Sequence, residues 1–207
     1  MATTSAQRLH SPADFQEPAF ARFLFSDTRA AWLWLVVRIY LGYEWLSAGW
    51  GKITDPAWTG TQAGSALTGF VNGAIGEASG AHPAVQGWYA DFLRAWVLPN
   101  ASFFAHLVAY GESIVGIALI AGALTGIAAA FGIVMNANYL LAGAVSTNPI
   151  LAFLAIFIVL AWRNAGWIGL DRWLLPLLGT PWQPGGIFRR DAGPASVQVK
   201  GPIAGAR

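Results

Sequence analysis

Apolar residues dominate the chain from residue 30 onward, and polar positions gather at a few short breaks. Crossing a hydrocarbon layer as a helix takes about 20 mostly apolar residues. Four windows reach that length: residues 30–50, 103–124, 126–145 and 149–170. Thr125 alone separates the second from the third, and Ser146-Thr147-Asn148-Pro149 separates the third from the fourth, so these helices are expected to be antiparallel neighbours. The predicted fold is an all-α integral membrane protein, a four-helix transmembrane bundle spanning residues 30–173.

The segment between the first two windows, residues 53–102, is too long to be a mere connection. Within it Val85, Trp88, Tyr89, Phe92, Leu93, Trp96 and Val97 recur at helical spacing after Pro83, which suits a first helical turn. Leu67, Phe70, Val71, Ala74 and Ile75 repeat the pattern more weakly. Two amphipathic interfacial helices are expected, forming a lid over one mouth of the bundle. Residues 1–29 are polar and mixed in charge, with no cleavable apolar core, and Phe15, Phe20, Phe23, Leu24 and Phe25 could lie on the membrane surface. Residues 174–178 are expected to run along the opposite surface, followed by a mobile Gly-, Pro- and Ala-rich tail to 207.

Composition sharpens this picture. Hydrophobic residues make up 56% of the 207 and charged ones 11%, against about 45–50% and 25% in soluble domains, so a soluble enzyme is disfavoured. The net charge of +2 is scattered, without a basic stripe for nucleic acid. With no cysteine, the chain can hold no disulfide, thiolate-bound metal or iron–sulfur cluster. Three histidines, of which only His106 falls at bilayer depth, argue against a haem held by two imidazoles. Arginines flank both ends of the bundle, whereas the long loop carries only Lys52 and Arg94 at its borders. That asymmetry predicts a plasma-membrane protein with both termini cytoplasmic and residues 53–102 on the outer face.

Ionisable groups at bilayer depth are costly, at about 2.5–3.5 kcal/mol each on insertion scales, and are functional candidates for that reason. The first window carries Arg38 and Glu44, about 240° apart around the axis, so each must look to a different helix. The second carries His106, Tyr110 and Glu112, and the third Asn136 and Asn138. Counting rises from the helix ends places them on neighbouring levels as a polar ladder. The expected pairs are Arg38 with Glu112 and Glu44 with His106, leaving Lys52 to snorkel at the outer interface. The ladder reads either as interhelical glue or as a proton-linked ligand site, the mix of carboxylate, imidazole and phenol favouring the second. Arg163, between Trp162 and Trp167, reads as an interfacial anchor.

Several motifs then converge. Arg38-Ile39-Tyr40-Leu41-Gly42, Gly49-Trp50-Gly51-Lys52, Asp55-Pro56-Ala57-Trp58, Gly111-Glu112, Met135-Asn136, Ser146-Thr147-Asn148-Pro149 and Gly169-Leu170-Asp171-Arg172-Trp173 together resemble the DoxX/DoxD membrane family over residues 30–183. The resemblance implies a four-helix membrane protein of redox metabolism. In that family DoxD is the membrane subunit of thiosulfate:quinone oxidoreductase and is paired with a second subunit, DoxA. On that basis the expected cofactor is a quinone, with no haem, cluster or metal. Glu44, His106 and Glu112 would supply protons, and Arg38, Trp45, Tyr110, Asn136 and Asn138 would line the quinone site. Lys52 and Arg94 would attract an anionic donor such as thiosulfate under the lid. The expected partners are the lipid bilayer and a DoxA-like outer subunit or a larger membrane complex. The alternative is a non-catalytic accessory subunit of such a complex.

Overall fold

The computed structural model describes residues 17–180 and 183–188, and the expected surface residue Phe15 and the tail from 189 onward lie outside them. Helix α1 (Ala19–Ser26) leads through a single turn into α2 (Ala31–Thr54). Then follow α3 (Ser65–Gly76), α4 (Gly87–Phe92), α5 (Ala101–Ala121), α6 (Thr125–Leu141), α7 (Asn148–Leu160) and α8 (Asp171–Leu178). A two-residue β-pair, β1 (Gly179–Thr180) with β2 (Gln183–Pro184), closes the described chain. Helices α2, α5, α6 and α7 pack together, α2 most closely on α5 and α6 on α7, while the α5–α6 seam is more open.

Small residues set the close α2–α5 approach. A methyl group at Gly49 would fall 2.6 Å from the Ser113 nitrogen, and one at Gly116 would fall 2.7 Å from Leu46 Cα. Helices in lipid associate through this kind of backbone proximity, because apolar area alone gives no preference for helix over acyl chain. Trp34, Leu41, Trp45, Val115, Leu119, Leu151 and Ile158 fill the core between the four helices.

The lid packs on the bundle through a second core, in which Leu67, Val71 and Ala74 of α3 meet Val85, Tyr89, Leu93, Val97, Ala105 and Ala142. The expected separate interfacial helix is instead continuous with the next one, giving a helical rod from Gly87 to Ala121. Pro99 removes one backbone donor, and the chain absorbs the loss with a π turn over Leu93–Val97 and a tight turn over Leu98–Asn100 rather than breaking. The rod's 35 residues make it long and apolar enough to cross a membrane. Its length of roughly 52 Å is greater than the ~30 Å thickness of a hydrocarbon layer.

The fourth apolar window is shorter in helix than its hydropathy suggests, since α7 ends at Leu160 and residues 161–170 form successive turns. Asn164, fully buried, explains the break. Its Nδ2 donates to the Leu24 and Asp27 carbonyls at 3.0 and 2.7 Å, tying the turns to the α1–α2 corner. Further on, the Asp171 carboxylate accepts from the Leu124 and Thr125 amides at 2.5 and 2.9 Å, capping α6. Leu124 holds a left-handed conformation (φ 48°), and the buried Asp171 carboxylate fixes it there.

Candidate functional site

Two polar layers occupy opposite ends of the α2–α5 contact, roughly 21 Å apart by the rise from Arg38 to Lys52. The layer near the start of α2 is built on Arg38, which is 1% exposed. Its Nη1 donates to the Leu119 and Ile120 carbonyls at 3.0 and 3.1 Å, and its Nη2 to the Ile168 carbonyl at 2.5 Å. These carbonyls belong to the last turn of α5 and to the 161–170 turns, so the guanidinium caps a helix end and complements its dipole. Gly122, at φ 67°, ends α5 directly against that guanidinium, where a side chain would have no room. Arg38 therefore does not pair with Glu112, contrary to expectation. A six-residue walk along α2 fixes its facing but not which helix end lies opposite.

The second layer lies beneath the lid. Glu112, 1% exposed, accepts from Lys52 Nζ at 2.6 Å on Oε2 and from the Tyr139 hydroxyl at 2.5 Å on Oε1. Lys52 belongs to α2, Glu112 to α5 and Tyr139 to α6, so the three side chains join three helices. The ammonium also stands over the Trp58 ring at 5.2 Å and the Tyr139 ring at 6.0 Å, giving it cation–π contact on two sides. Lys52 thus turns inward instead of snorkelling, because α2 runs on to Thr54 and Trp58 folds back over it. Its side chain keeps 19% exposure, so the triad has a route to the lid side.

The other expected site residues are dispersed. His106 donates through Nδ1 to the Ser102 carbonyl at 2.7 Å and stacks with Tyr110 at 6.2 Å on the outward face of α5. It makes no pair with Glu44, whose carboxylate has no hydrogen bond or ion pair among the described residues, its backbone carbonyl alone accepting from the Ser47 hydroxyl at 3.0 Å. Arg94 pairs with Asp91 at 2.8 Å on the lid surface, so Lys52 and Arg94 answer to different carboxylates and form no joint anion site. Asn138 accepts from the Tyr89 hydroxyl at 3.1 Å, while Trp45 and Asn136 are buried in the bundle below the triad. Tyr139, not among the expected residues, lies three positions after Asn136 on the same face of α6. That spacing is the sequence feature that could have marked it.

Beside the triad the open α5–α6 seam widens into a cavity of about 520 Å³. Its walls come from α3, from α4 and the π turn, and from α5 and α6, and they include Phe70, Val71, Leu93, Phe104, Gly111, Val115, Phe131 and Met135. Polar groups enter it from Tyr89, Asn138 and Tyr139. An apolar pocket of this size with few convergent polar groups has the form of a small-molecule site. Among the described residues no group of three His, Asp or Glu side chains comes together to hold a metal.

Comparison with known proteins agrees with the architecture: the DoxX family model matches residues 33–144, from early α2 to just past α6 and so across the lid, the triad and the cavity. The chain belongs to the DoxX family. It is accordingly a membrane protein, and the DoxX match contains Lys52, Glu112 and Tyr139 together. No curated protein and no solved structure matches the chain.

Proposed function

We propose that this DoxX protein crosses the bilayer with α2, α5, α6 and α7, the last continued by the 161–170 turns, binds a quinone in the lid cavity, and delivers protons to it from the Lys52–Glu112–Tyr139 triad. The observation that carries the reading is the position of Tyr139. Its ring lines the apolar cavity while its hydroxyl bonds a buried carboxylate. Support for four spans comes from the tryptophans: exposed Trp32 and Trp50 on α2 stand roughly 27 Å apart, close to the ~30 Å hydrocarbon thickness. Near the Trp32 end, Arg163 covers Trp162 and Arg172 covers Trp167 and Trp173. At the lid end Trp88 and Trp96 are exposed, and the two cations there are each paired with an acid. This charge bias supports a lid on the outer face and a cytoplasmic Trp32 end.

A quinone fits the residues present, since its ring and tail would contact aromatic and aliphatic walls and its oxygens would meet the Tyr89 and Tyr139 hydroxyls and Asn138. Quinone reduction takes up two electrons and two protons. The electrons come from a reduced sulfur donor such as thiosulfate, two ions of which yield tetrathionate, held by a partner subunit outside the membrane. Within this chain the Tyr139 hydroxyl gives its proton into the cavity and regains one from the Glu112 carboxyl, and Lys52 recharges Glu112 from the lid side. With Lys52 engaged by Glu112, donor binding falls to the partner.

Gly111 allows a test without touching the triad. A methyl group there would meet Met135 Sδ at 3.7 Å, an ordinary contact, so a longer side chain can enter the cavity from α5. In protein extracted in mild detergent, Gly111→Leu is expected to keep the folded yield and to lower bound quinone, measured by mass spectrometry, about tenfold or more, the equivalent of 1.4 kcal/mol. Equal quinone in variant and parent would contradict the assignment. Recovery only inside a large multisubunit particle with no quinone of its own would favour the accessory-subunit reading.

A further inference from the structure

Asn136 is fully buried, and neither its Oδ1 nor its Nδ2 has a hydrogen-bond partner. Trp45, also buried, carries an indole Nε1–H that is likewise unpartnered. Buried polar groups are almost always bonded, so three orphaned atoms in one part of the core call for a common explanation.

They are close together. The Trp45 ring lies over Gly132, with Nε1 3.1 Å from where a Gly132 Cβ would be. Asn136 follows Gly132 by four residues on the same face of α6, and helical side chains lean toward the N-terminus over the preceding turn. The amide of Asn136 is thereby directed toward the Gly132 turn, on which the indole packs. No direct bond joins the two groups, since each is without a hydrogen-bond partner. Leu41, Ala129 and Leu151 belong to the same core cluster, so other polar partners are not at hand.

We propose that Gly132, Trp45 and Asn136 form a binding site for an internal water molecule, which accepts from the indole N–H and from Asn136 Nδ2 and donates to Asn136 Oδ1. Gly132 supports the site by letting the indole pack onto α6, since a side chain there would press on the ring 3.1 Å away. The water lies between the levels of Gly132 and Asn136, about one to two helical turns below Tyr139 on α6, and so adds exchangeable protons in the middle of the bundle. The site does not depend on quinone being the cavity's ligand.

The test reads the Trp45 indole directly in the full chain reconstituted in lipid nanodiscs. The indole resonance of Trp45 is assigned in 15N-tryptophan-labelled protein as the one that a Trp45→Phe variant lacks. The expected result is an indole N–H cross-peak at the water frequency with the sign of a long-lived complex. Asn136→Leu is expected to abolish it while the indole resonance persists. A Trp45 indole with no water cross-peak in the native protein would overturn the proposal, whether its chemical shift indicates a direct bond to Asn136 or no bond at all. A cross-peak that survives Asn136→Leu unchanged would also overturn it, since the water would then not be held by Asn136.

Discussion

Glu112→Gln is expected to lower quinone reduction by about two to four orders of magnitude, the usual contribution of a positioned proton donor. A glutamine keeps the shape of the side chain and can still accept from the Tyr139 hydroxyl, but it has no proton to pass on. The variant also leaves Lys52 facing a neutral partner. Removing one member of a fully buried pair costs about 3–5 kcal/mol, and the cost here is expected to be smaller because the ammonium retains some solvent and two aromatic faces. Lys52→Met together with Glu112→Gln removes both charges and is expected to restore thermal stability without restoring turnover. Recovery of activity in the double variant would assign the pair to helix assembly rather than to proton delivery. The measurement is quinol formation in reconstituted vesicles with the partner subunit present, alongside melting followed by tryptophan fluorescence.

Arg38→Met is expected to act in the opposite manner, through stability alone. Its guanidinium satisfies three carbonyls at the end of α5 and in the 161–170 turns. Methionine has similar bulk and no donors, so the Ile120 and Ile168 carbonyls would lose their donor at about 1–3 kcal/mol each, while the Leu119 carbonyl keeps the Gly122 amide. The Asp171 carboxylate, which attracts Arg38, would also lose that opposing charge. A sharp fall in folded yield and melting temperature follows, with whatever folds keeping normal quinone content, because the cavity is at the other end of the bundle. Arg38→Lys is expected to fall between parent and methionine variant, since an ammonium reaches some of the carbonyls but cannot fork across all three. Loss of quinone at unchanged stability would return Arg38 to the site.

Much of the architecture was readable from hydropathy, and the exceptions have local causes. The first three apolar windows correspond to α2, α5 and α6 within a few residues, because uninterrupted apolar runs leave few alternatives to helix. The lid stripes were also legible, though they divide in three dimensions: Tyr89, Leu93 and Val97 turn inward while Trp88 and Trp96 face outward. Pro99 invites a break that a π turn avoids, and Asn164 introduces one within an apolar window, since its amide finds better partners across the chain than along it. Among the polar residues, burial of Glu112 followed from its depth. Its partners did not, because helical spacing states which way a side chain faces and not what another helix brings opposite. Lys52 was misplaced for that reason, and Tyr139 escaped notice because aromatic residues in an apolar helix resemble ordinary packing.

The central claim is that the cavity between lid, α5 and α6 receives the quinone beside Tyr139. An azido-quinone irradiated on the lipid-reconstituted protein, followed by peptide mapping, tests it most directly. The account predicts labelling confined to Phe70 and Val71, to the stretch from Tyr89 to Val97, and to Met135, Asn138 and Tyr139, with the label displaced by excess unmodified quinone and weakened in Gly111→Leu. Labelling that falls on the outward faces of α5 and α7, or that excess quinone fails to displace, would contradict it.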